Sequence, residues 1–473
     1  MSRESNSRPW HWRSLPLQQR TGSDVFEQLF RSPFFSGIGA IATLLESPAT
    51  YSPYESGQPY PQSRYSICAG APRRDGDQWR IWTPSLGHIL PTLQHLRHAD
   101  SDIPDANLPF TGGWLGWLGY DLAWEIERLP WRREDQLPFP VAYWYEPENF
   151  AVLDHWQQQI WIATTDPQAG DRLQHQLETS LPNPILSLPQ MGRASYATQA
   201  NDYQAAVRRA QQYIQAGDIF QTNLSLRFAT AGFADPWQLY RTLHQINPSP
   251  FASYWQTPWG AVISCSPERL VHRVGRQAQT RPIAGTRPRG TTPESDRRYE
   301  QELLSNAKEN AEHIMLVDLE RNDLGRVCDW GTVEVDELLT IERYSHVMHL
   351  VSNVRGMVSP DIDAIALIRA LFPGGTITGC PKVRCMDIIE ELEPVRRSLF
   401  YGSCGYLDWR GHLDLNILIR TLLAVPDEPF ITGAQPFHIY GQVGAGIVAD
   451  SDPGLEWEES LQKAKAQLAV LSG

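Results

Sequence analysis

Two pairs of glutamates recur at helical spacing in the second half of the chain. Glu309 and Glu312 lie in AKENAEHIML, and Glu456 and Glu459 lie in LEWEESLQKAKAQLAVL. Residues three apart share one face of a helix, so each helix would present two carboxylates side by side. Carboxylates brought together repel unless a hard cation lies between them, and Mg²⁺ suits such a site because it takes few carboxylates and retains water. The alternative is a pair of solvated helix faces.

The apolar residues of the same two segments predict the faces that pack on a core, at about 100° per residue. In the first helix the stripe consists of Leu304, Ala307, Ala311, Ile314 and Met315. In the second it consists of Trp457, Leu461, Ala464 and Leu468, with Lys463 on the carboxylate face.

A glycine-rich stretch, YGQVGAGIVADSD, offers a second kind of site. Gly444 and Gly446 flank Ala445 just after an extended run. Successive amide N–H groups in such a turn can bind a carboxylate or a phosphate. The pattern is not GxGxxG, which disfavours dinucleotide binding. FPGGTITGCPKVR is a second glycine-rich turn, and each of the two can equally be a structural turn.

Two histidines and one arginine stand out within predicted strands. His346 and His349 are three apart in SHVMHLVSNV, so in a strand they face opposite sides and cannot share a metal ion. A lone histidine is more often structural than catalytic. Arg420 interrupts the apolar run LNILIRTLL, and a buried charge of this kind is expected to meet a carboxylate of the protein or of a ligand.

Composition limits the class of protein. The chain has 473 residues, 41% hydrophobic and 20% charged, with a formal charge of −13, which disfavours a general nucleic-acid binder. No apolar run reaches the roughly 20 residues that span a bilayer, and the N-terminus lacks the apolar core of a secretory signal. The six cysteines match no zinc pattern, so we expect a reduced, cytoplasmic protein.

The order of the predicted elements favours an α+β fold. Helices and strands mix without a regular βαβ rhythm. Residues 1–24 read as a mobile tail, residues 25–185 as an N-terminal region and residues 196–473 as a second region, with a Pro- and Ser-rich junction at 183–196. A helix capped by Asp202 opens the second region, and further helices are expected at about 293–316, 361–371, 381–392 and 455–471. Strands are expected near 251–256, 261–273, 332–338, 346–356, 403–409, 413–423 and 437–442.

Several long stretches together resemble the chorismate-utilising enzymes. They are PIAGTRPRG, LLSNAKENAEHIMLVDLERNDLGR, SHVMHLVSNV, FPGGTITGCPKVRCMDIIEELEP, GYLDW, LNILIRT and GAGIVADSDPGLEWEESLQKAKA. The N-terminal stretches ATLLESP, SRYSICAGAP and LPFTGGWLGWLGYD resemble the large subunits of aminodeoxychorismate synthase and anthranilate synthase. The resemblance implies a two-region α/β sandwich with large mixed or antiparallel sheets and a central cleft. It also implies Mg²⁺-dependent chemistry on chorismate.

Site roles follow from the same resemblance. Glu312 and Glu459 would be the principal Mg²⁺ ligands, with Glu309 and Glu456 beside them, and His349 would be a general acid that assists loss of the C4 hydroxyl. Catalytic roles are also expected for Thr286 and Lys463. Substrate-binding roles are expected for Gly285, Thr376, Tyr406, Arg420, Gly444, Ala445 and Gly446.

The N-terminal LLES motif resembles the tryptophan pocket of the family. Ser47 would lie on one wall, and Pro248 and Phe251 of NPSPF on the other. Such a pocket is a feedback site in anthranilate synthases and holds a structural tryptophan in some aminodeoxychorismate synthases.

Within the family, only a few residues of this sequence indicate which product is formed. Asn223 and the PGG of FPGG favour aminodeoxychorismate synthase component I, which is the prediction; Ala284 and the LLES motif favour anthranilate synthase component I, which is the alternative. Well-known aminodeoxychorismate synthases have a nucleophilic lysine at the position of Ala284. Both enzymes take ammonia from a separate glutamine amidotransferase. Water-using isochorismate or salicylate synthases and a catalytically silent, tryptophan-binding regulatory subunit fit the sequence less well.

Overall fold

A computed structural model describes residues 10–32, 37–47, 61–96, 107–179, 189–343, 347–427 and 435–472. His346 and residues 183–188 of the predicted junction lie outside these described residues. Over the described ranges, no helix combines the length and the apolar character needed to cross a bilayer.

The helices and strands have the following bounds in chain order. The helices are α1 (Gly22–Leu29), α2 (Ile89–His95), α3 (Ala123–Ile126), α4 (Pro167–Thr179), α5 (Ala200–Gln215), α6 (Pro236–Ile246), α7 (Pro293–Ser305), α8 (Ala307–Gly325), α9 (Ala364–Leu371), α10 (Lys382–Leu392) and α11 (Pro453–Ser472). The strands are β1 (His11–Pro16), β2 (Ala42–Glu46), β3 (Tyr65–Ala69), β4 (Arg74–Asp75), β5 (Gln78–Trp79), β6 (Ile81–Trp82), β7 (Gly113–Leu118), β8 (Ala142–Tyr145), β9 (Asn149–Asp154), β10 (Gln159–Thr164), β11 (Gln190–Met191), β12 (Ser195–Tyr196), β13 (Gln221–Ala234), β14 (Phe251–Thr257), β15 (Gly260–Ser266), β16 (Arg269–Val274), β17 (Gln277–Arg281), β18 (Ile283–Pro288), β19 (Glu334–Arg343), β20 (Val347–Met357), β21 (Gly379–Cys380), β22 (Ser403–Asp408), β23 (Leu413–Asn416), β24 (Thr421–Pro426) and β25 (Gln435–Ile447).

Two large antiparallel sheets organise the fold, which confirms the α+β prediction. The first follows the order β1-β10-β9-β3-β2-β14-β15-β24-β25-β13-β11, with β12 and β21 also paired to β13. The second follows the order β18-β20-β17-β16-β23-β22-β7-β8-β6, with β19 paired to β20. Both sheets contain strands from either side of the predicted junction, so the two predicted regions share their sheets.

Two apolar layers hold the sheets and helices together. One core lies between the sheets and includes the buried Trp117, Trp144 and Trp255. The other lies on the opposite face of the first sheet, where α1, α5, α6 and α11 contribute Phe26, Tyr203 and other buried side chains. Burial of such large rings contributes roughly 1.5–3 kcal/mol each relative to exposure. The arrangement is a sandwich with a helical layer on one outer face.

The predicted mobile tail is wrong for residues 10–24. β1 pairs residue by residue with β10, from His11 opposite Thr164 to Pro16 opposite Gln159, and Trp10 is buried. The side chains of HWRSLP are exposed or half-buried and none is fully buried, as suits an edge strand. The polar side chains of this segment therefore belong to an edge strand that is partly exposed to solvent.

Two helical predictions also need correction. The helix expected at 293–316 divides at Asn306, whose side chain caps α8 by accepting from the Glu309 amide. The predicted apolar stripe of α8 does not face a core, because Leu304, Ala307, Ala311 and Ile314 are exposed. The buried face instead includes His313, Leu316, Val317, Glu320 and Leu324. The helix of the second region begins after Gln199, so Asp202 lies in its first turn and is not its cap.

Candidate functional site

Most of the predicted site residues line one cleft with a volume of about 640 Å³. The helices α8 and α11 form one wall, and strands β13, β18, β20 and β25 form much of the rest. The predicted residues that line the cleft are Gly285, Thr286, Glu309, Glu312, His349, Thr376, Arg420, Gly444, Gly446, Glu456, Glu459 and Lys463. Ala284 lines it as well.

All four helical carboxylates face this cleft. Glu309 Oε1 accepts from Arg287 at 3.0 Å, while its Oε2 is buried without a hydrogen bond within the described part of the chain. Glu312 Oε1 accepts from Gln221 Nε2 at 2.7 Å. Glu456 is buried, and Glu459 Oε1 lies 2.7 Å from Lys463 Nζ. Among the described residues, no three Asp, Glu, His or Cys side chains stand close enough to form a metal-binding group on their own.

The predicted glycine-rich nest is part of a strand. Gly444, Ala445 and Gly446 belong to β25 and pair with β13. The Ser225 amide, opposite Gly444, donates to Glu393, and the Asn223 amide, opposite Gly446, donates to Thr378 O.

These two glycines consequently form non-hydrogen-bonded pairs with β13, and their own N–H and C=O groups point away from it. β24 pairs β25 only as far as Gly441, so these amides face an open edge. Ala445 points its side chain into the core and does not line the cleft.

Glycine is required at position 444, where a Cβ would meet backbone, and at position 446 a Cβ would displace the Gln221 side chain. A Cβ at Gly444 would lie 2.4 Å from Leu224 O and 3.0 Å from Asn223 Oδ1, and one at Gly446 would lie 2.5 Å from Gln221 Nε2. The side chains of β13 fold over the bare backbone of β25.

Arg420 and Lys463 supply positive charge at this edge. Arg420 does not lie in a strand: it follows β23, precedes β24 and has φ 51°. Its Nη1 donates to Lys463 O at 2.8 Å, and Lys463 Nζ donates to Gly444 O at 3.0 Å. Burial lowers the pKa of Arg420, and the nearby Tyr401 and Glu459 oppose that change. The Arg420 guanidinium, the Lys463 ammonium and the outward-facing amides of β25 thus lie together at this edge, and groups of this kind can bind an anion.

His349 lies on β20, near one end of the second sheet, opposite Thr286 of the terminal strand β18. The register of β18 and β20 pairs the two residues, and His349 Nδ1 lies 2.9 Å from Thr286 Oγ1. Burial lowers the pKa of His349 to about 4; Arg420 lowers it further and Glu342 opposes the change. The imidazole is therefore neutral at neutral pH before substrate binds, and it can donate one N–H.

The arginines of RPIAGTRPRG anchor their own loop. Arg281 Nε donates to Glu342 Oε1 at 2.9 Å, and Arg287 Nε donates to Glu302 Oε1 at 2.9 Å. Arg289 pairs with Asp296 at 2.9 Å. Each guanidinium is held by a carboxylate of a neighbouring element, so strand β18, which carries Ala284, Gly285 and Thr286, is fixed against the cleft.

Tyr406 does not reach the cleft. It lies on β22 and lines a second cavity of about 560 Å³. The tyrosine that lines the cleft is Tyr401, which precedes β22, has φ 65° and is stacked 4.6 Å beneath the guanidinium carbon of Arg397. Which tyrosine faces the cleft depends on the path of the chain before the strand, and the sequence pattern gave no signal of that path.

Sequence reasoning also missed Gln221, Asn223 and Glu268 as cleft residues. Burial raises the pKa of Glu268 to about 7, and the Thr376 hydroxyl and Lys463 oppose that rise. A buried carboxyl whose pKa lies near 7 can exchange a proton at neutral pH. The signal available in the sequence was the alternation of β13, which places Gln221, Asn223 and Ser225 on one face.

A buried ion pair supports this wall from behind. Arg397 donates to Glu393 Oε1 at 2.7 Å, to Ile377 O at 2.7 Å and to Asn223 O at 2.8 Å. Glu393 Oε1 in turn accepts from the Ser225 amide and hydroxyl. Because both charges are fully hydrogen-bonded, the pair fixes the backbone that carries Asn223.

The second cavity contains part of the predicted tryptophan pocket. Ser47 and Phe251 line it, and Ser47 Oγ donates to Pro250 O at 2.6 Å. Pro248 is not among its lining residues, and Pro250 takes that place. Arg269 and Glu268 are adjacent in sequence, yet Arg269 faces this cavity and Glu268 faces the cleft.

The cleft thus combines four carboxylates with the Arg420 and Lys463 cations, set between an antiparallel sandwich and two helices. The family model described as chorismate binding enzyme matches residues 64–469. The chain therefore belongs to the chorismate-binding enzyme family, as its motifs predicted.

Individual relatives carry two different names. The chain is 60% identical to an anthranilate synthase component I-like protein of Synechocystis sp., over 98% of this chain and 92% of that protein. It is 45% identical to aminodeoxychorismate synthase component 1 of Bacillus subtilis, over 76% and 77% of the two chains. A Synechocystis protein named anthranilate synthase component 1 is 42% identical over 77% of each chain. The crystal structure of anthranilate synthase component I from Streptococcus pneumoniae superposes with a TM-score of 0.72 at 30% identity, over 88% of this chain and 94% of that one.

Proposed function

We propose that the chain aminates chorismate with ammonia, as component I of an aminodeoxychorismate synthase. The observation that carries the amination is the cleft itself, in which four carboxylates face an edge of two cations and two free amides. Such a cleft suits a dicarboxylate held by a metal ion at one end and by Arg420 with the β25 edge at the other. The choice of aminodeoxychorismate as product rests on further observations.

Mg²⁺ fits the acidic end of the cleft. Glu309 has a buried carboxylate oxygen without a hydrogen bond in the described chain, and Glu456 is buried on the facing helix. A hard cation would satisfy both charges, with Glu312 and Glu459 beside them. When bound, the ion would neutralise and orient the ring carboxylate of the substrate. It would need that carboxylate and water to complete its ligand set.

The chain's own residues would bind the other carboxylate of the substrate and assist departure of the C4 hydroxyl. Arg420, Tyr401 and the Gly444 and Gly446 amides would hold the enolpyruvyl carboxylate, with Lys463 fixing that edge. Thr286 would orient the His349 ring through Nδ1. His349, which is neutral in the empty cleft, would first take up a proton from solvent, which a bound dicarboxylate favours, and the resulting imidazolium would pass that proton to the departing C4 hydroxyl, so that water leaves. Protonation of a leaving group by a positioned side chain accelerates a reaction by roughly 10²–10⁴-fold.

Two observations favour aminodeoxychorismate as the product. Asn223, which favoured this enzyme in the sequence, lies in the cleft. The chain is also more similar to the Synechocystis anthranilate synthase component I-like protein than to the Synechocystis protein named anthranilate synthase component 1. Synechocystis thus has two such proteins, one named anthranilate synthase component 1 and one named component I-like, and this chain is more similar to the component I-like protein.

Ala284 favours a second candidate, anthranilate synthase component I. Its methyl group faces the cleft from β18, so no lysine there can attack C2 of the ring. Direct attack by ammonia at C2 would lead to anthranilate after loss of pyruvate.

The two products can be separated in one assay. We expect the purified chain, given chorismate, Mg²⁺ and ammonium salt, to form a product that an added aminodeoxychorismate lyase converts to p-aminobenzoate. Chromatography with fluorescence detection distinguishes p-aminobenzoate from anthranilate. Anthranilate formed without the lyase would support the second candidate, and a reaction without ammonium would contradict both.

A glutamine amidotransferase is the proposed partner, as the likeness to component I enzymes implies. The chain would accept ammonia from that partner, or from ammonium salt in its absence.

The second cavity is proposed to bind tryptophan, with Ser47 and Phe251 on its walls and Tyr406 among its aromatic lining. Isothermal titration of the chain with L-tryptophan should show one site, and Ser47→Trp, which fills the pocket, should abolish the heat of binding. Inhibition of chorismate turnover by tryptophan would indicate a feedback site; binding without inhibition would indicate a structural one. Absence of binding to the unsubstituted chain would contradict the proposal.

A further inference from the structure

The first half of α8 carries two of the proposed metal ligands and has few apolar anchors. Ala307, Ala311 and Ile314 are exposed. Among the described side chains from Ala307 to Met315, His313 is the one buried residue, with an exposed fraction of 0%. The placement of this half of the helix on the second sheet therefore depends on what His313 contacts.

His313 contacts the face of β20 that lies away from the cleft. Its Nε2 atom lies 2.6 Å from Ser352 Oγ in the interior of the fold. Ser352 and His349 are three apart on β20, so their side chains face opposite sides of the sheet. His349 lines the cleft, whereas Ser352 faces α8. The same strand thus receives the helix on one face and presents the proposed general acid on the other.

Ser352 also stabilises an irregular part of β19. The register between β19 and β20 shifts between Glu337 and Thr340, and Leu339 in this segment has φ 53°. A left-handed conformation is unfavourable for a residue other than glycine, so it needs support from its surroundings. The Leu339 amide donates to Ser352 Oγ at 3.0 Å. One hydroxyl therefore connects His313 of α8, strand β20 and the irregular segment of β19.

A second polar contact holds the same end of α8, but it involves a proposed metal ligand. Arg287 of β18 lies 3.0 Å from Glu309, and a Cβ at Gly285 would lie 2.5 Å from Glu309 Oε2. The Glu309 side chain must be able to turn toward a bound ion. The contact between His313 and Ser352 uses no proposed metal ligand, so it can stay in place whichever partner Glu309 has.

We propose that His313 is a positioning residue, which holds the carboxylates of α8 in a fixed place relative to His349 through Ser352 and β20. Glu312 directly precedes His313, and its carboxylate accepts from Gln221 on the first sheet at 2.7 Å. Sliding of α8 on the second sheet would move that carboxylate relative to His349, and a misplacement of about 1 Å can lower a rate about 100-fold. The inference rests on the proposed function, and it concerns a residue that does not line the cleft.

His313→Leu removes the polar contact and keeps most of the side-chain bulk. We expect kcat for ammonium-dependent turnover to fall about 10- to 100-fold, and the Mg²⁺ concentration for half-maximal activity to rise about tenfold. His313→Gln places its terminal amide near the position of Nε2 and should recover most of the kcat. His313→Asn is also polar but too short to reach Ser352, so it should remain slow.

Ser352→Ala removes the other partner of the same contact. It should lower kcat in the same way, and the variant that combines it with His313→Leu should be little slower than Ser352→Ala alone, because both substitutions break one interaction. Effects that multiply in the combined variant would show that His313 acts on the site by another route and would overturn the proposal.

Amide hydrogen exchange, in the absence of substrate and Mg²⁺, provides a readout that does not depend on turnover. Peptides that include Leu339 should exchange faster in Ser352→Ala and His313→Leu, and at the original rate in His313→Gln. Leu324→Ala is the matched control, because Leu324 is buried on α8 about three turns beyond Glu312 and its side chain is apolar. It should lower the midpoint of thermal unfolding and leave kcat and the exchange of β19 unchanged.

The outcomes separate this inference from the proposed function. Unchanged kcat and Mg²⁺ dependence in His313→Leu would overturn the positioning role, and so would equally low kcat values in His313→Gln and His313→Asn. Faster exchange of β19 without loss of kcat would show a structural contact only. An unsubstituted chain without ammonium-dependent turnover would overturn the proposed function and the positioning role with it. If His313→Leu does not fold, His313→Gln against His313→Asn repeats the comparison.

Discussion

Glu312→Gln is expected to lower kcat for ammonium-dependent chorismate turnover by about 1,000-fold, the upper range for loss of one electrostatic group in an enclosed site. The substitution preserves side-chain shape, and the amide oxygen can still accept from Gln221 Nε2. The negative charge that would attract Mg²⁺ is lost. We therefore expect the Mg²⁺ concentration for half-maximal activity to rise as well, while the midpoint of thermal unfolding changes little.

Glu458→Gln provides the control on the facing helix. Glu458 is exposed on α11, next to the cleft residue Glu459 in sequence, but it does not line the cleft. It should retain the activity and the Mg²⁺ dependence of the unsubstituted chain. If Glu312→Gln kept a tenth or more of the Mg²⁺-dependent activity, the assignment of the acidic end of the cleft would be wrong.

The sequence predicted the chemistry of the cleft better than its geometry. The spacing of Glu309 with Glu312 and of Glu456 with Glu459 was sufficient to place each pair on one helical face, because that spacing is a local property. The prediction that the apolar stripe of α8 faces the core was wrong because it, too, used only local spacing. A helix that borders a polar cleft buries carboxylates and a histidine, so its most apolar face is not its most buried one.

Non-local pairing explains the other differences. Gly444 and Gly446 look like a turn because glycine is common in turns, but here they allow Asn223 and Gln221 to fold across a strand. Tyr406 and Tyr401 are five residues apart, and only the sheet order decides which of them meets the cleft. Residues 10–16 have polar composition, and their strand forms because β10 presents a free edge. None of these partners is visible from a local window of sequence.

Glu268→Gln is expected to lower kcat about 100-fold, within the range for loss of a general base. Attack by ammonia leaves a surplus proton on the new C–N nitrogen, and the Glu268 carboxylate is placed to accept it. Its pKa is raised from 4.5 to about 7, first of all by burial, so the ionised fraction increases as pH rises through 7. The catalytic advantage of the unsubstituted chain over the variant should therefore grow between about pH 6 and pH 8 and then level off.

The ratio of the two kcat values is the quantity to measure, because free ammonia also increases with pH in every sample. Dividing the kcat of the unsubstituted chain by that of Glu268→Gln at each pH cancels this common effect and leaves the titration of Glu268. Glu320 is the informative comparison: burial raises its pKa to about 8, but it does not line the cleft. For Glu320→Gln, the ratio of the kcat of the unsubstituted chain to that of the variant should not rise between pH 6 and pH 8. A ratio for Glu268→Gln that is constant from pH 6 to pH 8 would exclude Glu268 as the proton acceptor, and a ratio that falls would indicate that it acts as an acid.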